Sequence, residues 1–268
     1  MNISILSHAR LFAAIALLAA AASLHAQAII GTDNASASAY ASGWTNGSDG
    51  SITGPGAFGQ WFLNTNLPSA AYTIASAAGV GDTNSVVIDS SGVSFGLSGT
   101  NAEATAFRFI DPAGLGAGQT FSVQMAVNFR DGFKGMDLRG DTIGDPTIFN
   151  FNIGGDDYVV SNAASGNGSI GSSYSSFTIF TLSFTQIDGT GGSWSLDRSG
   201  GVISTTNGTY SGVARSIKLY NSAGNALPEN ALFVNNLETV PEPSTLALLL
   251  LGGVAAWGWR HRRAGAHR

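Results

Sequence analysis

The chain reads as an all-β protein, an antiparallel two-sheet β-sandwich, flanked by an N-terminal signal helix and a C-terminal transmembrane helix. Three observations predict this. Glycine occupies 36 of the 268 positions while charged residues make up only 11%, a turn-rich composition unlike that of helical bundles. Short apolar runs with period-two alternation recur between clusters of Gly, Ser, Asn and Asp, and none has a convincing helical period. The long unbroken apolar runs lie near the two ends, at 11–22 and 246–259. The absence of Cys excludes disulfides, thiolate nucleophiles and Cys-bound metals. A net charge of -5 speaks against nucleic acid as a partner.

The amino-terminal run follows Arg10 and leads to Ala26-Gln27-Ala28, the small-x-small pattern of a signal peptidase site. Residues 1–28 are therefore expected to be a signal peptide read by the general secretion machinery and cut after Ala28, or else after Ala26. The run is too short for a bilayer core of roughly 30 Å; a buried helix or an uncleaved anchor is the alternative. The carboxyl-terminal run is preceded by Val240, Pro241, Glu242, Pro243 and Ser244 and followed by Arg260, His261, Arg262 and Arg263. At 1.5 Å per residue it reaches about 21 Å, so a transmembrane helix over about 244–260 uses Ser244, Thr245 and a snorkelling Arg260. The basic residues 260–268 place the carboxyl terminus in the cytoplasm, and the signal places the middle outside.

Pro241-Glu242-Pro243, a short apolar helix containing Gly252 and Gly253, and the cluster Arg260, Arg262 and Arg263 stand in that order at the end of the chain. Residues 239–268 resemble the PEP-CTERM sorting signal of Gram-negative bacteria. The resemblance implies recognition by an exosortase, a membrane-embedded cysteine protease that cuts near the triplet, in organisms that make extracellular polysaccharide. A plain tail anchor is the alternative. The two prolines stiffen the approach to the helix and deny the processing site regular secondary structure.

Between the signals, residues 29–238 are expected to form one domain. All four histidines, His8, His25, His261 and His267, lie in the signal or the tail, and residues 29–243 hold 7 basic and 17 acidic residues, a net charge of -10. No Ser-His-Asp triad, His-ligated zinc or histidine base can be built there. Strands are expected at 85–89, 92–97, 104–110, 120–130, 147–153, 158–161, 177–186, 192–198, 201–204, 215–220 and 231–237. The clearest is 120–130, in which Phe121, Val123, Met125, Val127 and Phe129 alternate with polar or small residues. Turns are expected at Asp131-Gly132, Gly154-Gly155, Asp188-Gly189 and Asn207-Gly208, and 161–176 reads as a long polar loop. Strands this short and dense suit a jelly-roll or lectin-like sandwich; a β-helix is the alternative. The strings Ser94-Phe95-Gly96-Leu97, Gly154-Gly155-Asp156-Asp157-Tyr158 and Lys218-Leu219-Tyr220 are similar to a secreted bacterial domain often joined to this tail. That resemblance implies a concanavalin- or laminin-G-like sandwich with no established activity.

Candidate chemistry is sparse. The glutamates lack the paired spacing of a glycosidase. Asp137, Asp141 and Asp145 recur every four residues in a Gly-rich stretch read as a loop, and Asp156 and Asp157 follow two glycines; these are weak calcium candidates or solvated turn residues. Trp44, Trp61 and Tyr72 could stack on sugar rings or fill the core. Arg130, Lys134 and Arg139, mixed with Asp131 and Asp137, read as a solvated turn. The expectation is a non-enzymatic, exosortase-processed envelope or matrix protein with a structural or adhesive sandwich. The alternatives are a carbohydrate-binding module for extracellular polysaccharide and a carboxylate-only glycoside hydrolase or lyase.

Overall fold

The computed structural model describes residues 31–51, 58–66, 70–77, 88–100, 102–110, 113–140, 146–172, 174–200, 202–222 and 228–241. Within them the strands are β1 (Gly31–Asp33), β2 (Phe62–Leu63), β3 (Ala70–Ala75), β4 (Ser94–Gly99), β5 (Ala104–Phe109), β6 (Gln119–Val127), β7 (Lys134–Arg139), β8 (Thr147–Asn152), β9 (Val159–Ser161), β10 (Gly168–Ser169), β11 (Ile179–Asp188), β12 (Gly191–Ser199), β13 (Ser204–Ser211), β14 (Ser216–Asn221) and β15 (Leu232–Pro241). Two 3-10 turns, Ser38–Tyr40 and Pro228–Asn230, are the helical elements among the described residues. Residues Ile29–Val240 form one compact unit. The expected signal helix, Ala26 and Ala28, and the tail from Glu242 through Pro243, Ser244, Arg260, Arg262 and Arg263 lie outside the described residues, as does the expected transmembrane helix.

Two antiparallel sheets make the sandwich. Sheet A runs β13-β12-β11-β6-β15-β4-β3 with β1 added on β15, and sheet B runs β10-β9-β8-β7-β14-β5-β2. Period-two alternation sends one face of each strand inward: Phe121, Val123 and Met125 on β6, Phe180, Leu182 and Phe184 on β11, and Phe149 and Phe151 on β8 are fully buried. The sheets meet through aromatic edges. Phe149 of sheet B lies 4.9 Å from Phe184 and 5.1 Å from Trp194 of sheet A, and Phe151 lies 5.3 Å from Phe180. Each such side chain contributes roughly 1.5 to 3 kcal/mol by leaving water.

Several expectations shift. The strand expected at 120–130 ends at Val127, and Phe129 is 41% exposed. Asp137 lies on β7 rather than in a loop, and the charged stretch around it is strand: Met136 and Leu138 point inward with Lys134, while Gly135, Asp137 and Arg139 face outward. Asn207-Gly208 is not a turn but the middle of β13, opposite Ser195 and Trp194. A side chain at Gly208 would meet the Ser165 carbonyl at 2.3 Å, so close approach explains this glycine. The strand expected at 201–204 instead runs Ser204–Ser211.

Candidate functional site

The structure gathers Trp44, Trp61 and Tyr72, and gathers them inside. The rings of Trp44 and Trp61 meet edge to face at 5.1 Å, and those of Trp44 and Tyr72 at 5.7 Å. Trp44 and Trp61 are buried, and the hydroxyl of half-buried Tyr72 donates to the Thr105 carbonyl at 2.9 Å. Burial raises the Tyr72 pKa despite that bond. The faces of Trp44 and Trp61 are thus part of the core and closed to a sugar ring, whereas Tyr72 stays partly exposed at its edge.

Around Trp61 lies a buried polar network. Arg108, on β5 and fully buried, is paired with Asp33 of β1 and with Asp49 at 2.8 Å, while its Nε donates to the Gly59 carbonyl at 2.6 Å. Its guanidinium stacks on Phe58 and Trp61 at 5.0 and 4.9 Å. The Tyr40 hydroxyl donates to Asp33 at 2.5 Å and accepts from Trp61 Nε1 at 3.2 Å. Burial pushes the Asp33 pKa up, while Arg108 and the Tyr40 hydrogen bond pull it back. The Arg108–Asp33 pair, with neither side chain exposed, ties sheet A to sheet B as a structural pin, and Asp49 closes its partly exposed end.

Lys134, expected in a solvated turn, is fully buried. Its ammonium donates to the carbonyls of Phe129 at 2.8 Å and Asn230 at 2.9 Å, and burial lowers its pKa to about 8. Asp156 and Asp157 sit in the bend before β9, and Asp141 and Asp145 lie outside the described residues. Among the described residues no three acidic or histidine side chains gather as metal ligands.

The richest polar surface is the outer face of sheet B. The registers set Phe62, Phe107, Lys218, Asp137, Asn150 and Ser161 side by side on six successive strands, a row about 24 Å long at the usual strand spacing. Asn150 is its hub. Its Nδ2 donates to Asp137 Oδ1 at 2.8 Å and to the Tyr220 hydroxyl at 2.9 Å, and its Oδ1 accepts from Ser161 at 3.1 Å. Tyr220 also reaches toward Asn152 Oδ1 at 3.4 Å, and Lys218 Nζ stands 5.7 Å over its ring. Burial raises the Tyr220 pKa; the Asn150 hydrogen bond opposes this, and nearby Asp137 adds to it. Gly135, opposite Tyr220, leaves room for its hydroxyl: a Cβ there would stand 2.8 Å from it.

One end of the row opens into a cleft of about 650 Å³. Half-buried Phe62 supplies aromatic surface, its ring centroid 6.2 Å from that of buried Phe107. Asn64, Asn66 and Thr105 supply amide and hydroxyl groups, and Lys218, ion-paired with Glu103, and Arg139 supply charge. Arg139 Nε lies 3.8 Å from Asp137 Oδ2, so cations and carboxylates alternate along the face. An apolar platform beside hydrogen-bonding groups of both signs is what a polyhydroxylated ligand requires. Sequence reasoning missed this face. Its available signal was the alternation in 134–139 combined with that in 216–221, which places Asp137, Arg139, Lys218 and Tyr220 on one side.

No curated protein matches the chain in sequence. In three dimensions it is similar to an endo-acting O-glycanase of the human gut microbiota (12% identity, TM-score 0.41, covering 80% of this chain and 100% of that one). It is also similar to a carbohydrate esterase of a Shiga toxin-encoding bacteriophage (11%, 0.40, 68% and 90%) and a galectin of Caenorhabditis elegans (16%, 0.31, 47% and 84%). With scores this low, the likenesses carry no argument about ligand or activity. The specific match is in the tail: residues 239–263 match the PEP-CTERM protein-sorting motif, and the chain carries that motif, which implies export and a cell-surface location.

Proposed function

We propose that the chain is an exported envelope or extracellular-matrix protein, held transiently in the inner membrane by its tail and released by an exosortase. Its sandwich is a non-catalytic adhesive module that binds extracellular polysaccharide across the outer face of sheet B. The observation that carries this reading is the cleft where half-buried Phe62 adjoins Asn64, Asn66, Thr105 and the Lys218–Glu103 pair. Sugar rings present an apolar C–H face and a rim of hydroxyls, and such a cleft offers partners for both.

The test is electrophoresis of the full-length chain in gels cast with the host's exopolysaccharide. Wild type should be retarded, and Phe62→Ala and Asn64→Ala should weaken retardation about tenfold, the loss of roughly one well-placed contact. Unchanged retardation in both variants would overturn the reading. No reducing sugar should appear; release abolished by Asp137→Asn would favour a carboxylate-only hydrolase or lyase instead.

A further inference from the structure

The two ends of the sandwich unit meet. Strand β1 pairs with the last part of β15, with Gly31 opposite Thr239, Thr32 opposite Glu238 and Asp33 opposite Leu237. The expected signal-peptidase cut after Ala28 falls just before β1, and Pro241 of the sorting motif falls just after β15's paired residues. Strand β15 itself has two parts. Leu232, Phe233 and Val234 pair with β4, then Asn236 adopts a positive φ of 52° and the strand leaves β4 for β1.

The bend is wired in place by two amides. Asn235 donates to the Ile88 and Val93 carbonyls at 3.0 and 3.1 Å, and Asn236 donates to Gln124 at 2.7 Å. Beyond the bend, Leu237 is 1% and Thr239 0% exposed, whereas Val240 and Pro241 are half-buried. Strand β1 is fixed through Asp33, whose carboxylate is held by Arg108 and Tyr40. A protease takes its substrate as an extended, unpaired segment. A strand already paired and buried is cut only during local opening, in proportion to the open population.

We infer that β1 is a stop for carboxyl-terminal maturation: while it is paired, the bonds of Leu237, Glu238 and Thr239 are withheld from a protease. A cut beyond these residues leaves the sandwich intact, with Gly31 and Thr239 opposite each other on neighbouring strands, about 5 Å apart. The stop rests on the exosortase reading for its biological use, but its physical content concerns only β1 and β15.

Two experiments test it. Thr32 and Glu238 are half-buried and directly opposed, and the chain has no native Cys, so Thr32→Cys with Glu238→Cys can lock β1 shut in an oxidising compartment. In cells that contain the exosortase, the locked protein should mature to the same carboxyl terminus as wild type, at Val240 or later. Accumulation of unprocessed chain, relieved by reduction, would overturn the stop and show that β1 must open. Separately, a glutamate-specific protease is applied to the purified full-length chain, and the fragment ending at Glu238 is followed by mass. Thr32→Asp places like charges opposite each other and should speed that cut roughly two- to fivefold over Thr32→Lys; equal rates would overturn the stop. A wild type that is never processed in cells would refute the exosortase reading alone, because the second experiment needs no exosortase.

Discussion

The two sheets of the sandwich bury similar aromatic side chains but differ on their outer faces. On sheet A the registers align Thr120, Thr185, Ser193 and Thr209 in one row and Ser122, Ser183, Ser195 and Asn207 in the next. These are short side chains whose bonds reach one neighbour, such as Thr120 to Thr185 at 2.7 Å. On sheet B, Asn150 alone ties together residues from β7, β9 and β14. Groups held across several strands keep their geometry before a ligand arrives, which lowers the entropy lost on binding. On the proposed function, these sheet A rows are suited to solvation and the sheet B face to recognition.

The hardest blow to this contrast is a methyl group under the sheet B face. In Gly135→Ala the new Cβ would lie 2.0 Å from the Phe151 carbonyl and 2.8 Å from the Tyr220 hydroxyl. Strand β7 must shift from β8, at a cost of about 3 kcal/mol or more. Ser195→Ala on the sheet A face should stay within about 0.5 kcal/mol. Urea midpoints compare the two, and equal midpoints would show that the sheet B array is no more tightly built than its counterpart.

The inner sides differ as well. Arg198 of sheet A stacks on Tyr158 at 4.7 Å, whereas Lys134 of sheet B is buried among carbonyls. The Lys134 pKa is lowered from 10.5 to about 8 in the fold. Between those values the unfolded chain binds more protons, so stability should rise with pH across that window, by at most about 3 kcal/mol. The gain is fully present above pH 10.5 and is lost as pH falls through about 8. Burial raises the pKa of Tyr40, Tyr210 and Tyr220, so above about pH 10 their phenols ionise first in the unfolded chain and stability falls. Stability should therefore peak near pH 10, and Lys134→Met should flatten the rise. A wild-type profile flat from pH 8 to 10 would mean that the Phe129 and Asn230 carbonyls hold the ammonium as well as water does.

Much of this architecture was legible because alternation is a local signal. Phe121, Val123 and Met125 announce β6 by themselves, and Trp194 announces its burial in the same way. Lys134 and Asp137 defy the rule that charge marks solvent: pairing of β7 with β14 and β8 makes them strand residues, and Phe129, Asn230 and Asn150, across a turn or distant in sequence, supply their side-chain partners. Trp44 and Trp61 were ambiguous for a related reason. An aromatic residue in a loop-rich segment is compatible with core or surface, and the decision lies with Arg108, Phe95 and Tyr40, which reach it from other elements. The candidate cleft needs β2, β5, β7 and β14 side by side, an arrangement set by strand order and invisible in any one run of sequence.

The smallest expected effect is the most discriminating. Lys218 is partly exposed and its pairing with Glu103 is open to solvent, so the pair adds little to stability. Lys218→Met should leave the urea midpoint within about 0.5 kcal/mol of wild type while weakening polysaccharide binding about tenfold, through loss of a charged donor at the cleft wall. Thr181→Lys, which adds a lysine to the outer face of sheet A between Gln124 and Asp197, should change neither. If both lysine variants altered binding equally, attraction would follow overall charge rather than the built face of sheet B. If only Lys218→Met did so, at unchanged stability, binding would belong to the row that begins at Phe62.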